Sequence, residues 1–478
     1  MFKGKIRIYT ILAAMATVFF LTPVVRASSG GGGESAGHGG FAIIFLWMAV
    51  LLLLAKGVSL IERFGQPAVL GELVLGVLLG NLALVGFHWF DPVAENEIIK
   101  FMAELGVVIL LFQVGLESNV NEMRRVGGSS LSVAIVGVVL PFVLGTYVLG
   151  PWLLPGLSSN TYLFLGAALT ATSVGITARV FRDLGTLKSP EAKIVLGAAV
   201  IDDVMGLIVL AVVSAIVTAG TVSAFQVGWI VTKAILFLGG AIIIGQLIAP
   251  WINLGFSKIN AGIGMKFTIA FSAALLLATL AESIGLAAIV GAFTAGLILD
   301  PVHFRNFKDP EVVDHLRTSL KDADPQVRAQ VGHVLEAHSE RHIEELIEPI
   351  GYVLVPIFFV LTGMAVNLQT LFDPTILLVA LTITVVAIVG KLAAGWVAGS
   401  GVNKSIIGWG MVPRGEVGLI FATIGQSLGV VSDEVFSVIV IMVIFTTLLT
   451  PPILTYLLNR EAATAAQEPA TSPSPASR

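Results

Sequence analysis

Along this chain apolar residues fall in long, nearly unbroken blocks, without the two-residue alternation of half-exposed strands or the narrow 3.6-residue stripe of surface helices. A helix that crosses a bilayer needs about 20 mostly apolar residues. Blocks of that length predict thirteen such helices, over residues 41–61, 66–86, 98–117, 129–150, 160–181, 191–217, 225–250, 264–282, 285–301, 348–368, 375–398, 404–429 and 433–457. The fold class that follows is an all-α polytopic membrane protein. Upstream lies a shorter block, Ile8 to Leu21, behind Lys3, Lys5 and Arg7 and ahead of Val25-Arg26-Ala27. That outline predicts a secretory signal over residues 1–27, the alternative being an uncleaved extra helix. Residues 28–40, rich in glycine, read as a flexible linker.

Two blocks are interrupted by polar and small residues at mid-length. The fifth carries Thr170-Ala-Thr172-Ser173-Val-Gly175, and the twelfth carries Pro413-Arg414-Gly415-Glu416-Val-Gly418. Glycine and proline beside polar groups predict broken helices whose freed backbone atoms line a cavity. The two lie seven spans apart and so run in opposite directions, the pattern of an inverted repeat with two crossed discontinuous helices and a binding site at their crossing. The membrane portion thus occupies residues 41–302 and 348–460, with a disordered tail over 461–478. Between its two parts, residues 303–347 are strongly polar. Asp309-Pro310 and Asp324-Pro325 each open a helix in the expected way, so this stretch reads as a small HEAT-like helical insert on the inner side.

Loop charge gives the orientation. With the first helix running inward, Arg63, Arg124, Arg125, Arg182, Lys188, Lys258, Lys404 and Arg460 all fall inside, while the outer loops near 87–97, 151–159, 218–224 and 369–374 hold no lysine or arginine. The N-terminus is then outside and the C-terminus inside. Composition agrees with a polytopic membrane protein, with 56% hydrophobic and 12% charged residues and a mean hydropathy of +0.94. A net charge of −4, without a basic patch, sets nucleic acid aside. The absence of cysteine removes disulfides and thiolate chemistry, no nucleotide-binding loop is present, and neither a cofactor nor an enzyme activity is indicated.

Asp202 and Asp203 stand together within the sixth apolar block. Each carboxylate costs roughly 2.5–3.5 kcal/mol at the centre of a spanning helix, so the pair reads as functional. Adjacent helical residues point about 100° apart, which lets one face a cavity and the other a neighbouring helix. A buried carboxylate of this kind carries either a proton or a hard cation. Lys391 also lies inside an apolar span. It either pairs with Asp202 or snorkels to the inner interface. Thr172 and Ser173 offer the neutral oxygens that suit a weakly held sodium ion, though hydroxyls also bond helix backbones. Arg414 and Glu416 are placed to cap free backbone groups or to pair with charges elsewhere, and Glu72 and Glu117 either shape an inner funnel or bond across helices. In the insert, His303, His315, His333, His338 and His342 form an inner-side pH sensor or a solvated face, with His338 and His342 alternatively holding a metal.

In order and spacing, Gln66-Pro-Ala-Val-Leu-Gly-Glu72, Gly115-Leu-Glu117, Ala171-Thr-Ser-Val-Gly-Ile-Thr177, Asp202-Asp203, Gly390-Lys391 and Pro413-Arg-Gly-Glu-Val417 resemble the monovalent cation:proton antiporters of the bacterial sodium/proton type. The insert at 303–347 is the main departure. This resemblance implies a homodimer in a lipid bilayer, each protomer with a dimerisation domain and a moving core, in a bacterial inner membrane or a cyanobacterial thylakoid. It implies that Asp203 binds Na+, or Li+ or K+, and protons in turn, that Asp202 pairs with Lys391, and that Thr172 and Ser173 belong to the broken-helix site. Potassium:proton exchange is the nearest alternative. A cation channel would repeat its charges in rings around an axis, and a sodium-coupled organic-anion symporter would need a roomier polar cavity.

Overall fold

The computed structural model describes residues 39–64, 66–117, 127–219, 224–299, 342–371 and 373–467, with 307, 316, 319, 320 and 331. Among these there is no β-strand. In chain order the main helices are α1 (Gly39–Val58), α2 (Ala68–Gly80), α3 (Glu97–Glu117), α4 (Gly128–Val143), α5 (Ser159–Ala168), α6 (Val174–Asp183), α7 (Pro190–Ala219) and α8 (Ala224–Ile259). They continue with α9 (Ile263–Ser283), α10 (Ala288–Ile298), α11 (His342–Met364), α12 (Pro374–Gly395), α13 (Lys404–Gly410), α14 (Glu416–Ser427) and α15 (Asp433–Gln467). Among the described residues, nine helices are long and apolar enough to cross a membrane. The other four expected spans are the two broken ones and two short helices, α2 with 13 residues and α10 with 11.

Several boundaries differ from the sequence reading: α8 runs to Ile259 where its span was expected to end at 250, α2 stops at Gly80 where its span was expected to reach 86, and two further ends differ as well. Helix α11 starts at His342, so residues 342–347 continue a membrane helix where the insert was expected to end. Ile343 and Ile347 are buried, and that apolar pair anchors the added turns. At the other end α15 runs to Gln467, through Ala462-Ala463-Thr464-Ala465-Ala466, where a disordered tail was expected from 461. Alanine is the best helix former, so an established helix extends readily through such a stretch. The signal, the linker as far as residue 38, and most of the insert, with His303, His315, His333 and His338, lie outside the described residues, as does the side chain of His342.

The chain divides into two compact units, residues 1–119 with 229–368 and residues 120–228 with 369–478. In the first, α3 packs against α10 and α11, and α11 also packs on α2. Asn81, just past α2, ties that packing: its Nδ2 donates to the Val77 and Val366 carbonyls at 2.8 and 2.7 Å, and its Oδ1 accepts from the Leu368 N–H at 2.9 Å. In the second unit α7 packs on α4, and α12 on α4, α13 and α15. Helix starts here follow local capping chemistry. Ser158 accepts from the Thr161 N–H, Asn403 from those of Ser405 and Ile406, and Asp373 from that of Thr375. The Thr375 N–H holds the Asp373 carboxyl below its usual range.

Candidate functional site

The fifth and twelfth apolar blocks are both broken. Helix α5 stops at Ala168 and α6 begins at Val174, and α13 stops at Gly410 with α14 beginning at Glu416. Each break strands backbone carbonyls and N–H groups that an apolar environment cannot satisfy. Here the two breaks satisfy one another. The Ser173 N–H donates to the Pro413 carbonyl at 2.8 Å, and Thr172 Oγ1 donates to the Met411 carbonyl at 3.2 Å. Thr177 Oγ1, one turn into α6, donates to the Gly410 carbonyl at 2.7 Å. In the opposite direction Arg414 Nη1 donates to the Ala171 carbonyl at 2.5 Å and to the Thr170 carbonyl at 3.3 Å.

Gly415 allows this close approach. A Cβ on it would meet Ser173 Cβ and Oγ at 2.8 Å, closer than carbon atoms pack. Only a residue without a side chain brings the second break so near Ser173.

Asp202 and Asp203 lie near the middle of α7, and both are buried. Lys391 on α12 donates from Nζ to Asp202 Oδ1 at 3.0 Å, and neither side chain is exposed. Snorkelling is therefore not its arrangement. Gly137 on α4 makes room for the ammonium, since a Cβ there would stand 3.3 Å from Lys391 Nζ. The second oxygen of Asp202 is buried without a hydrogen-bond partner among the described residues, and so is Arg414 Nε. Arg414 Nη2 reaches the Ala387 carbonyl of α12 at 3.2 Å, and its charge acts on Asp202. Asp203 lies within electrostatic reach of Lys391.

Asp202, Asp203, Lys391, Thr172, Ser173 and Arg414 thus fall in one unit and are all at least nine-tenths buried. Glu416 opens α14, and its side chain lies outside the described residues. Glu72 is buried on α2 and Glu117 ends α3, with a side chain outside the described residues; both belong to the other unit.

The chemistry available here is specific. A hydroxyl that donates its proton to a carbonyl keeps two lone pairs, so Thr172 Oγ1 remains a neutral oxygen ligand while bonded to Met411. The carboxylate pair on α7 has one member already neutralised by an ammonium, and the charge of Arg414, which is bonded to the first break, acts on that member. That set suits one small monovalent cation, or one proton, at a time. No group of three or more histidine, cysteine, aspartate or glutamate side chains with metal-site geometry occurs among the described residues.

Gly137 and Thr447 carry no site signal in the sequence, and Thr177 enters it only as the last residue of the Ala171–Thr177 motif. Thr447 on α15 donates to the Arg414 carbonyl. Its only signal is a threonine pair, Thr446-Thr447, a turn before Pro451-Pro452.

Comparison with known proteins gives a consistent picture. The family model described as sodium/hydrogen exchanger, transmembrane, matches residues 14–320 and 330–460. The high-affinity Na(+)/H(+) antiporter NhaS3 of Synechocystis is 35% identical over 446 residues, covering 86% of this chain and 88% of that protein. The Na(+)/H(+)-K(+) antiporter GerN of Bacillus cereus is 33% identical over 422 residues, covering 86% and 95%. Among solved structures, the sodium proton antiporter MjNhaP1 of Methanocaldococcus jannaschii superposes with a TM-score of 0.59 at 17% identity, over 90% of this chain and 99% of that one. That likeness establishes the fold.

Proposed function

The chain belongs to the sodium/hydrogen exchanger family, and from that premise we propose that it is a secondary active antiporter exchanging Na+ for protons across the membrane it spans. One observation carries the assignment of the site. A buried carboxylate, Asp203, stands next to a carboxylate that Lys391 already neutralises and on which Arg414, the residue bonded across the two breaks, also acts.

In this reading Asp203 is the group for which cation and proton compete. Asp202 is held as an ion pair by Lys391, which cancels one of the two negative charges of the aspartate pair. A sodium ion entering the site meets the Asp203 carboxylate together with neutral oxygens from the first break, Thr172 Oγ1 and Ser173 Oγ. Protonation of Asp203 removes the charge that holds the cation. Because the two ligands exclude each other, one site is enough for antiport, and the proton gradient drives cation movement when the site is exposed to one side at a time. Arg414 neutralises the carbonyl end of α5 at the break, so that the incoming cation is directed to the carboxylate and not to the free carbonyls. Lysine at position 391 could itself release a proton on cation binding, which bears on electrogenicity.

The working assembly is a homodimer in a bacterial inner membrane, or in a thylakoid if the source is a cyanobacterium, with the N-terminus outside and the C-terminus inside. Potassium is the second reading, since GerN carries both cations in its name. The test is reconstitution into liposomes loaded with a pH-sensitive dye at clamped membrane potential, with Na+, Li+ and K+ supplied in turn. Sodium-driven alkalinisation that disappears in Asp203→Asn supports the proposal, and exchange at the wild-type rate in that variant ends it.

A further inference from the structure

Threonines inside apolar helices usually return their hydroxyl proton to their own backbone, to the carbonyl one turn back. This chain follows that habit. Thr294, Thr384, Thr423, Thr446 and Thr450 donate to the carbonyls of Val290, Ala380, Leu419, Met442 and Thr446, all four residues earlier. Thr447, between two of them on α15, does not. Its hydroxyl leaves the helix and donates to the Arg414 carbonyl, in the break between α13 and α14, although the side chain is only 3% exposed.

The sequence around Thr447 supports that reach. Pro451 has no N–H to give to the Thr447 carbonyl four residues back, so the helix cannot make its regular bond there. Thr447 therefore sits where α15 lacks one regular backbone bond, and its hydroxyl bond places it against the 411–415 segment. Its bond completes a set in which the Gly410, Met411, Pro413 and Arg414 carbonyls each receive a donor from outside their own segment: Thr177, Thr172, Ser173 and Thr447. Three of these donors come from the fifth span. Only Thr447 comes from α15.

We propose that Thr447 is a positioning residue of the cation site, fixing the 411–415 segment from α15 so that the Met411 and Pro413 carbonyls hold Thr172 and Ser173 toward the ion. The inference rests on the antiport reading of that site. Thr447 touches neither ion. It acts through the Arg414 carbonyl, one peptide from the Pro413 carbonyl that receives the Ser173 N–H and one residue from Gly415, against which Ser173 packs. Without the hydroxyl, the Arg414 carbonyl is left unpaired in an apolar interior and the segment shifts to satisfy it elsewhere. The oxygen ligands of the first break then move with it.

The experiment compares Thr447→Val, which keeps the shape and removes the donor, with Thr447→Ser, which keeps the donor. Both are reconstituted beside the wild type, with Na+ titrated and proton flux read by the dye. Thr447→Val is expected to raise the half-saturating Na+ concentration roughly ten-fold, with maximal rate per folded transporter within about two-fold, because misplacing ligands by a fraction of an ångström weakens binding before it stops movement. Thr447→Ser returns that concentration to near the wild-type value. Should the valine variant not fold, as judged by size-exclusion and melting in detergent, Thr447→Ala takes its place against Thr447→Ser. An unchanged half-saturating concentration in the variant without a donor, or the same rise in the serine variant, overturns the inference. A wild-type protein that exchanges no Na+ for protons overturns instead the antiport reading, and the inference with it.

Discussion

Lys391 Nζ lies 3.0 Å from Asp202 Oδ1, and both side chains are wholly buried, 189 residues apart in the chain. Two charges withdrawn from solvent are held by each other, and removing either leaves the other stranded. Breaking a buried pair from one side costs about 3–5 kcal/mol, whereas replacing both members together is often close to neutral. Lys391→Met alone should therefore lower the melting temperature in detergent markedly, Asp202→Asn alone should do so too, and the double variant should recover most of the loss. A double-mutant cycle read by thermal unfolding measures the coupling. Additive losses would show that the pair contributes nothing as a pair.

Gly415 is a point of close approach between the two breaks. Its missing Cβ leaves the space into which Ser173 fits, since a Cβ there would stand 2.8 Å from Ser173 Cβ and Oγ. Neither partner can retreat easily, since the Ser173 N–H is bonded to the Pro413 carbonyl. Gly415→Ala is expected to prise the two breaks apart and to lower Na+-dependent proton flux by roughly a hundred-fold, the scale on which a misplacement of about 1 Å weakens function. Flux assays in liposomes, normalised to the amount of folded protein, check it. An alanine variant with wild-type flux would mean that the breaks separate without consequence.

Much of this was readable from the chain because membrane insertion magnifies every polar residue. Asp202, Asp203 and Lys391 stood out by cost alone, and the glycine and proline in the fifth and twelfth blocks marked the breaks that the structure contains. What the chain hid was the bonding between the breaks. Thr447 is an ordinary helix threonine by sequence, Thr177 is marked there only as the last residue of the Ala171–Thr177 motif, and the direction in which each hydroxyl leaves its helix separates them from Thr446 and Thr450. Gly137 was equally silent, since its importance lies in the Lys391 ammonium that passes over it. Helix ends were misjudged where apolarity and helicity part company, as at His342 and beyond Arg460, because a helix does not stop where its membrane-compatible stretch does.

The pH response of the fold itself includes a contribution from Asp373, which caps α12 from outside the span. The Thr375 N–H lowers its folded pKa below the unfolded value. A carboxyl depressed in this way contributes stability that is present above the unfolded pKa and is lost as pH falls through the folded pKa. Asp373→Asn keeps a capping oxygen but does not titrate. The wild type should thus lead the asparagine variant in melting temperature near neutral pH, and the gap should close as the pH is taken down into the acid range below the usual aspartate value. A gap that stays constant with pH would assign the cap no titrating role.

Arg414 tests whether the guanidinium acts by charge or by shape. Its Nη1 serves the Thr170 and Ala171 carbonyls of one break while Nη2 serves the Ala387 carbonyl of α12, so one planar group spans two elements. Lysine preserves the positive charge but concentrates it at one ammonium, which cannot reproduce a fork of fixed geometry. If neutralising the carbonyl end of α5 were sufficient, Arg414→Lys would retain most of the exchange. The three-carbonyl arrangement leads to the opposite expectation. Arg414→Lys should lose stability by about 1–3 kcal/mol, the scale for a buried acceptor left unpaired, and should lose flux along with it. Arg414→Gln, which lacks the charge as well, should fall further. Melting temperature and sodium-driven proton flux measured on the same preparations separate the two contributions: a lysine variant equal to wild type in both would reduce Arg414 to a point charge, and one equal to the glutamine variant would make its planar fork the whole of its role.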